Sequence, residues 1–282
     1  MKPKATLVSP VYNSLPYLRD YIASVEAQTW RPLQFIAVDD GSTDGSGDYL
    51  LSQKERLKAA GIEFDILLRP HENQAAAVSA ALPLIRGEYF TWCDADDILT
   101  PDSIEQKVRY LESHPALDMV RSDALIITEG TAEPVRAAKE ADRRAQNLFD
   151  ALFCQDTYCF AGCYMMRTSL FFECFPEKRI PISPEGQNLQ LLLPPASRTD
   201  CGFLPDALFH YYLRSGGHSS RKRSFTESMQ RAENFAKLRA ELLPRCRCDQ
   251  KEYLQKNETR RAKERRQLLS DAAVRAREEM HK

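Results

Sequence analysis

The sequence predicts an α/β protein, a mostly parallel sheet flanked by helices and followed by a helical C-terminal extension. Three observations carry that prediction. Short β-type apolar runs alternate with amphipathic helical stretches through the first 125 residues, the pattern of strand–helix–strand units with right-handed crossovers. Two of those runs stop abruptly in clustered carboxylates, Asp39-Asp40 and Asp94-Ala95-Asp96-Asp97. Such positions lie at the carboxyl ends of strands, where open α/β sheets bind ligands. Charge then divides the chain. Residues 221–282 hold 18 Lys and Arg against 10 Asp and Glu, a net +8 that leaves −9 for residues 1–220.

Ala5-Thr6-Leu7-Val8-Ser9 reads as the first strand, ended by Pro10. A helix follows with Tyr17, Leu18, Tyr21, Ile22 and Val25 in phase, Ser14 as its N-cap and Pro16 in its first turn. Residues 33–38 form the second strand, 49–57 a helix and 62–68 the third strand. The Ala-rich stretch 73–86 reads as a helix with Gly87 as its C-cap. Glu88 to Cys93 is the central strand, followed by a helix over 102–113 and a strand from Leu117. Residues 124–220 are less regular, with helical signals at 142–153 and apolar runs at 158–167 and 203–213. From about 224 the pattern is helical and highly charged.

Composition bounds the class. With 282 residues, 43% hydrophobic and 28% charged, the chain has the makeup of a soluble globular protein. No apolar run reaches membrane-spanning length and the N-terminus passes straight into a strand, so neither a signal peptide nor a transmembrane helix is expected. The eight cysteines suggest no disulfide framework and sit mostly among apolar residues, as in a reduced, cytoplasmic protein. Cys246 and Cys248 lack the second pair that a zinc site needs. The basic segment has no interleaved aromatics, which excludes a recognisable nucleic-acid module. It reads either as a solvated helix or as a peripheral contact with an anionic surface such as the inner face of a membrane.

The carboxylate clusters carry the chemistry. Asp94 and Asp96 are two residues apart, so in extended backbone they point to one side. Two oxygen ligands in that arrangement suit a divalent cation, magnesium or manganese, that also holds substrate phosphates. The bland alternative is a capping loop before the helix at Ser103. At the second cluster, Asp39 and Asp40 are placed to accept from a base N–H or a ribose hydroxyl, while Gly41 permits the sharp turn. Tyr12, in the first loop at the same sheet end, is placed to stack on a base or simply to pack.

Ser9-Pro10-Val11-Tyr12-Asn13, then Val38-Asp39-Asp40-Gly41-Ser42-Thr43-Asp44, then Gly87-Glu88-Tyr89 leading to Asp94-Ala95-Asp96-Asp97, together resemble the family 2 glycosyltransferases of the GT-A fold. The match covers roughly residues 4–125 and extends more loosely to about 220. The resemblance implies an inverting transferase that uses a nucleotide-diphospho-sugar, with a weak preference for UDP, and a divalent cation. It divides residues 1–220 into a nucleotide-sugar half (1–125) and an acceptor-side half (126–220), with 221–282 as the basic extension. Pro10, Tyr12 and Asp39 would hold the base, Asp94 would lie near the ribose, and Asp96 would hold the cation. The family's basic residue after the third strand falls to Arg69 or His71, although Glu72-Asn73-Gln74-Ala75 departs from the usual Asn-x-Gly. The family's acidic pair appears as Glu185-Gly186, so Glu185 stands as the catalytic base, with Asp200 and Asp206 as alternatives. Tyr211-Tyr212-Leu213-Arg214 and His218 resemble the loop that approaches the diphosphate, with His218 completing the metal shell. The acceptor would be a saccharide or a lipid-linked sugar in bacterial cell-surface polysaccharide synthesis.

A second expectation follows from Gly186 and the altered 71–75 loop: a catalytically weak or inactive subunit that binds the nucleotide-sugar within an assembly complex. A nucleotidyltransferase is disfavoured, since no Gly-rich basic loop follows the first strand.

Overall fold

The computed structural model describes residues 2–131, 133–214 and 221–280, with side-chain surroundings as far as Val274. In chain order the first half comprises β1 (Ala5–Val11), α1 (Leu15–Glu26), β2 (Leu33–Asp39), α2 (Ser46–Ser52), α3 (Lys54–Ala59), β3 (Ile62–Leu68), α4 (Gln74–Ala81), β4 (Tyr89–Trp92), β5 (Ile98–Leu99) and α5 (Ser103–Ser113). The second half comprises β6 (Met119–Thr128), β7 (Val135–Arg136), α6 (Glu140–Arg144), α7 (Phe149–Phe153), β8 (Tyr164–Arg167), α8 (Thr168–Cys174), α9 (Gln187–Ala196) and β9 (Cys201–Leu213). Two helices follow, α10 (Phe225–Leu242) and α11 (Gln250–Met280).

One sheet runs β3-β2-β1-β4-β8-β6-β9-β5, with β7 added at β6. Strands β3, β2, β1 and β4 are mutually parallel. Their order follows from the sequence: β1 and β2 are buried along their whole length, which requires helices on both faces. Helix α1 supplies cover through Leu18, Tyr21, Ile22 and Val25, an i, i+3, i+4, i+7 stripe. Helix α4 supplies it through small buried residues, Ala75, Ala76, Ala77 and Val78, that let its backbone come close. Beyond β4 the sheet turns mixed, with β8 antiparallel to both β4 and β6 and β9 parallel to β6. The carboxyl end of β9 therefore comes to lie beside the carboxyl ends of β1, β2 and β4. Strand β5 fixes that approach by pairing Ile98 with His210.

Two local expectations change. The helix read over 73–86 stops at Ala81 and becomes a short 3₁₀ turn, Leu82–Leu84, because Pro83 offers no N–H to an α-helical ladder. Gly87 is consequently no C-cap. A Cβ there would lie 2.7 Å from Thr6 Oγ1 and 2.8 Å from Tyr89 O, so the glycine serves the close approach of the chain to β1. Ser14 does occupy the N-cap position of α1, but its hydroxyl donates to Tyr12 O at 3.1 Å and makes no cap bond.

The extension is docked on the domain. Leu238 and Leu242 of α10 are buried, and the fully buried Arg239 donates through Nε to Asn257 of α11 at 2.7 Å. Tyr253 of α11 packs on Phe149 and Phe153 of α7 with centroids 4.9 and 5.1 Å apart. Thus the basic segment begins with exposed residues, turns into core structure over the second half of α10, and is exposed again along much of α11. No described helix is long and apolar enough to cross a membrane.

Candidate active site

Three loops at the carboxyl ends of β1, β2 and β4 meet the end of β9 and the start of α9 around a cavity of about 770 Å³. The first two loops are locked together before any ligand is considered. Asn13 N donates to Ser42 Oγ (2.8 Å), Thr43 N to Asn13 Oδ1 (2.8 Å), and Leu15 N to Asp44 Oδ2 (2.9 Å). Ser42, Thr43 and Asp44 thereby act as scaffold, leaving Pro10, Tyr12 and Asp40 on the cavity wall.

The paired acids at the end of β2 have different surroundings. Asp40 accepts from Arg69 Nη1 at 2.5 Å and Glu72 N at 3.1 Å, and its Oδ2 lies 2.9 Å from His71 Nδ1. Asp39 points away from the cavity toward α2, and its buried Oδ1 has no partner. An unsatisfied buried carboxylate oxygen is a standing acceptor for an incoming N–H. Arg69 is drawn onto Asp40 and Glu72 and does not line the cavity, whereas His71 does. The imidazole stacks on Tyr12, centroids 3.9 Å apart and planes 15° from parallel. Gly41 permits this fold-back: its φ is +74°, and a Cβ would sit 2.5 Å from His71 N.

The third loop gathers the carboxylates. Asp94 accepts from Gln74 Nε2 at 2.6 Å, and burial, reinforced by the Asp96 charge, pushes its pKa up to about 7. Asp97 is fully buried, accepts from Tyr212 N at 2.9 Å, and is held well above the usual carboxylate range by burial and then by Asp96 and Asp94. Asp96 is half-exposed and lies 3.3 Å from Arg214 Nη1; burial raises its pKa against the opposing pull of that arginine. Arg214 rests on Tyr17 and Tyr212, 4.1 and 4.9 Å from their ring centres. The group concentrates carboxylates, and among the described residues one cation, Arg214, stands at its edge, so the site favours a bound counter-charge. Among the described residues no three His, Cys, Asp or Glu side chains form a ready cation cage. Asp94 and Asp96 would supply a minority of the ligands, with phosphate oxygens and water the rest, which suits magnesium or manganese. His218 lies outside the described residues.

On the facing wall Glu185 is 14% exposed, with Oε2 2.7 Å from Arg231 Nη1 of α10. Its loop is pinned to the sheet by Trp92, whose Nε1 donates to Asn188 Oδ1 at 2.8 Å. Gly186 has φ +73°, and a Cβ there would meet Leu238 and Phe235 of α10 at 2.8 Å. The absence of an Asp at this position has a physical cause, since α10 fills the space that its side chain would need. Asp200 and Asp206, the alternative bases, are exposed and away from the cavity; Asp200 precedes β9, at the opposite end of the strand from Arg214. Phe160 lines the cavity and stacks on Tyr211 at 4.3 Å. The buried Lys107 holds the neighbouring segment through Gly162 O at 2.5 Å.

Sequence reasoning missed Gln74, Tyr17, Asn188, Arg231 and Phe235. Gln74 had a signal in the altered 71–75 loop. Arg231 and Phe235 had none, being one charge and one aromatic in a long charged helix.

Comparison with known proteins places this geometry. Residues 6–175 match the sequence profile of Glycosyl transferase family 2. An uncharacterized glycosyltransferase of Rickettsia prowazekii is 24% identical over 172 residues, 61% of this chain and 52% of the relative. The putative teichuronic acid biosynthesis glycosyltransferase TuaG of Bacillus subtilis is 30% identical over 135 residues, 46% of this chain and 50% of the relative. The chain thus spans about half the length of these relatives. Among solved structures, S. aureus TarS 1-349 in complex with UDP superposes with a TM-score of 0.65 at 15% identity, covering 89% of this chain and 68% of that one. At that identity the likeness speaks for the fold, which is the GT-A fold.

Proposed function

This chain belongs to glycosyl transferase family 2, and from that premise we propose that it moves a sugar, with inversion, from a UDP-linked donor to a hydroxyl of a saccharide or lipid-linked acceptor. The observation that carries the reading is the single cavity lined by Asp94, Asp96 and Arg214 on one side and by Glu185 on the other. The UDP named with TarS supports the choice of nucleotide, and teichuronic acid biosynthesis, named for TuaG, supports polysaccharide synthesis as the setting. The work is assigned to the cytoplasmic side, at or near the inner membrane face.

Each residue has a physical task in this reading. Tyr12 offers the base an aromatic face once His71 moves aside, while Asp39, which faces α2, stays outside the cavity. Arg214 leaves Asp96 for the donor diphosphate and bears on the charge that develops as the anomeric carbon–oxygen bond breaks. A divalent cation held at Asp96, with Asp94 beside it, would neutralise that same leaving diphosphate. Glu185 takes the proton from the acceptor hydroxyl as its oxygen bonds to the anomeric carbon on the opposite face. Arg231 holds the Glu185 side chain in place until then.

Calorimetric titration of UDP with manganese, on the parent and on Asp96→Ala, tests the donor site. Binding that requires the metal and weakens by about tenfold or more in the variant is expected. UDP binding indifferent to both metal and Asp96 would refute it. The ion pair that occupies Glu185 and the histidine that covers Tyr12 favour one second reading, a donor-binding subunit without transfer. Such a protein would bind UDP with metal yet release no UDP from UDP-sugars with any acceptor.

A further inference from the structure

Helix α9 is buried at every position but Asn188, and its buried positions hold Leu, Pro and Ala apart from two glutamines, Gln187 and Gln190. What holds the two glutamines differs. Gln190 donates through Nε2 to Glu185 O at 3.3 Å, leaves its Oε1 unpaired, and does not line the cavity. Gln187 opens the helix two residues beyond Glu185, lines the cavity and is 6% exposed. Neither its Nε2 nor its Oε1 has a hydrogen-bond partner among the described residues. The turn that carries it is packed against α10 at Gly186 and tied to β4 through Asn188 and Trp92, so it cannot lift to give the carboxamide to water. Burying a carboxamide with both groups unpaired costs their desolvation, a cost that a Met of like length would not carry. Unpaired groups kept at a cavity wall point to a ligand that supplies the partners.

We propose that Gln187 is a specificity-determining residue that hydrogen-bonds a sugar hydroxyl at the reaction centre. The inference rests on the transferase reading of the cleft. The amide itself defines the missing partner: Nε2 needs an acceptor and Oε1 needs a donor. Phosphate and carboxylate groups only accept and an ammonium only donates, so each would leave half of the carboxamide unsatisfied. A hydroxyl does both, and two neighbouring hydroxyls of a pyranose ring serve both groups at once. A nucleobase has a similar edge, but Tyr12 stands at the end of β1, whereas Gln187 follows Glu185 on the facing wall. A sugar bonded to Gln187 is therefore held beside the proposed base, and its hydroxyl pattern is read there. The hydroxyl belongs either to the transferred sugar or to the acceptor, which share this chemistry.

Gln187→Met keeps the length of the side chain and removes both polar groups. Without ligand the variant is expected to be more stable than the parent, its urea midpoint higher by about 0.3–0.5 M. Calorimetry with manganese then compares UDP with UDP-glucose, UDP-galactose and UDP-N-acetylglucosamine, and titrates methyl glucoside and methyl galactoside into protein saturated with UDP. UDP affinity is expected to be equal in the two proteins, and one sugar arm to weaken about tenfold in the variant. Loss of the preference for a UDP-sugar over UDP assigns the contact to the donor sugar, and loss of glycoside binding assigns it to the acceptor. A lower midpoint in the variant would mean that the carboxamide is held by a buried water or a neighbour, and overturns the proposal. So do sugar affinities that match in parent and variant, a parent that distinguishes no sugar in either arm, and a UDP affinity that falls with the substitution. Should UDP fail to bind the parent, the donor reading falls by itself, and the midpoint and the glycoside titrations repeated without UDP still decide Gln187.

Discussion

Glu185 illustrates how one residue's role depends on its neighbours. In sequence it is an acid in a helix's first turn; in the fold it is a nearly buried carboxylate in ion contact with Arg231. Glu185→Gln keeps the shape and removes the proposed base, so transfer is expected to fall by about 10²–10⁴ with UDP affinity unchanged. A side-by-side assay of UDP release and UDP binding checks this, and equal losses in both would assign Glu185 a structural part. Lys107 offers a residue-scale test of burial. It is fully enclosed, bonded to Ser103 Oγ and Gly162 O, and burial lowers its pKa to about 8. The unfolded chain holds that proton up to the ordinary lysine range, about 10.4. Between those values the unfolded state binds more protons, so this group's contribution to stability rises with pH. Its burial penalty is in full force below about pH 8 and vanishes above the unfolded pKa. Stability of the parent relative to Lys107→Met should therefore rise from pH 8 to pH 10.5, read by urea unfolding; a flat difference would mean that the lysine is charged throughout.

At the scale of elements, the loop before α9 is held from two sides. Trp92 of β4 bonds Asn188, and α10 presses against Gly186. The glycine satisfies two demands together, a left-handed φ and the absence of a side chain against Phe235 and Leu238. Gly186→Ala should destabilise by about 1–3 kcal/mol and loosen α10, seen as a lower urea midpoint and faster proteolysis within 225–242. An unchanged midpoint would show that α10 gives way without cost. Asn188→Ala should cost about 1 kcal/mol through the lost bond to Trp92, with a larger effect on transfer than on UDP binding. Periodicity revealed α1 and the strands around it because one face of each must be apolar. It overran at α4, where an Ala-rich pattern continues past Pro83 although the helix cannot.

On the scale of the whole molecule, the extension is part of the catalytic body. Deleting residues 221–282 would uncover the start of α9, where Leu238 and Phe235 press on Gly186, and would remove Arg231 and Phe235 from the cavity wall. The truncated chain should lose thermal stability and transfer activity together while retaining measurable UDP binding, since Tyr12, Asp94 and Asp96 lie on the β1–β4 half. Normal transfer by that chain would show that α10 contributes no working residue.

The sequence alone determined the α/β class, the strand ends that carry carboxylates, and the family resemblance over the first half. Those features are local: a buried strand must be apolar, a sharp exit needs Gly41, and the acids follow their strands directly in the chain. Tertiary structure alone decided how each acid is partnered. Asp39 and Asp40 are adjacent in sequence, yet one is left with an unpaired oxygen and the other is bound by Arg69, which comes from the end of β3. Arg231 reaches Glu185 across 46 residues of chain, and no local pattern encodes a contact made by packing two distant helices.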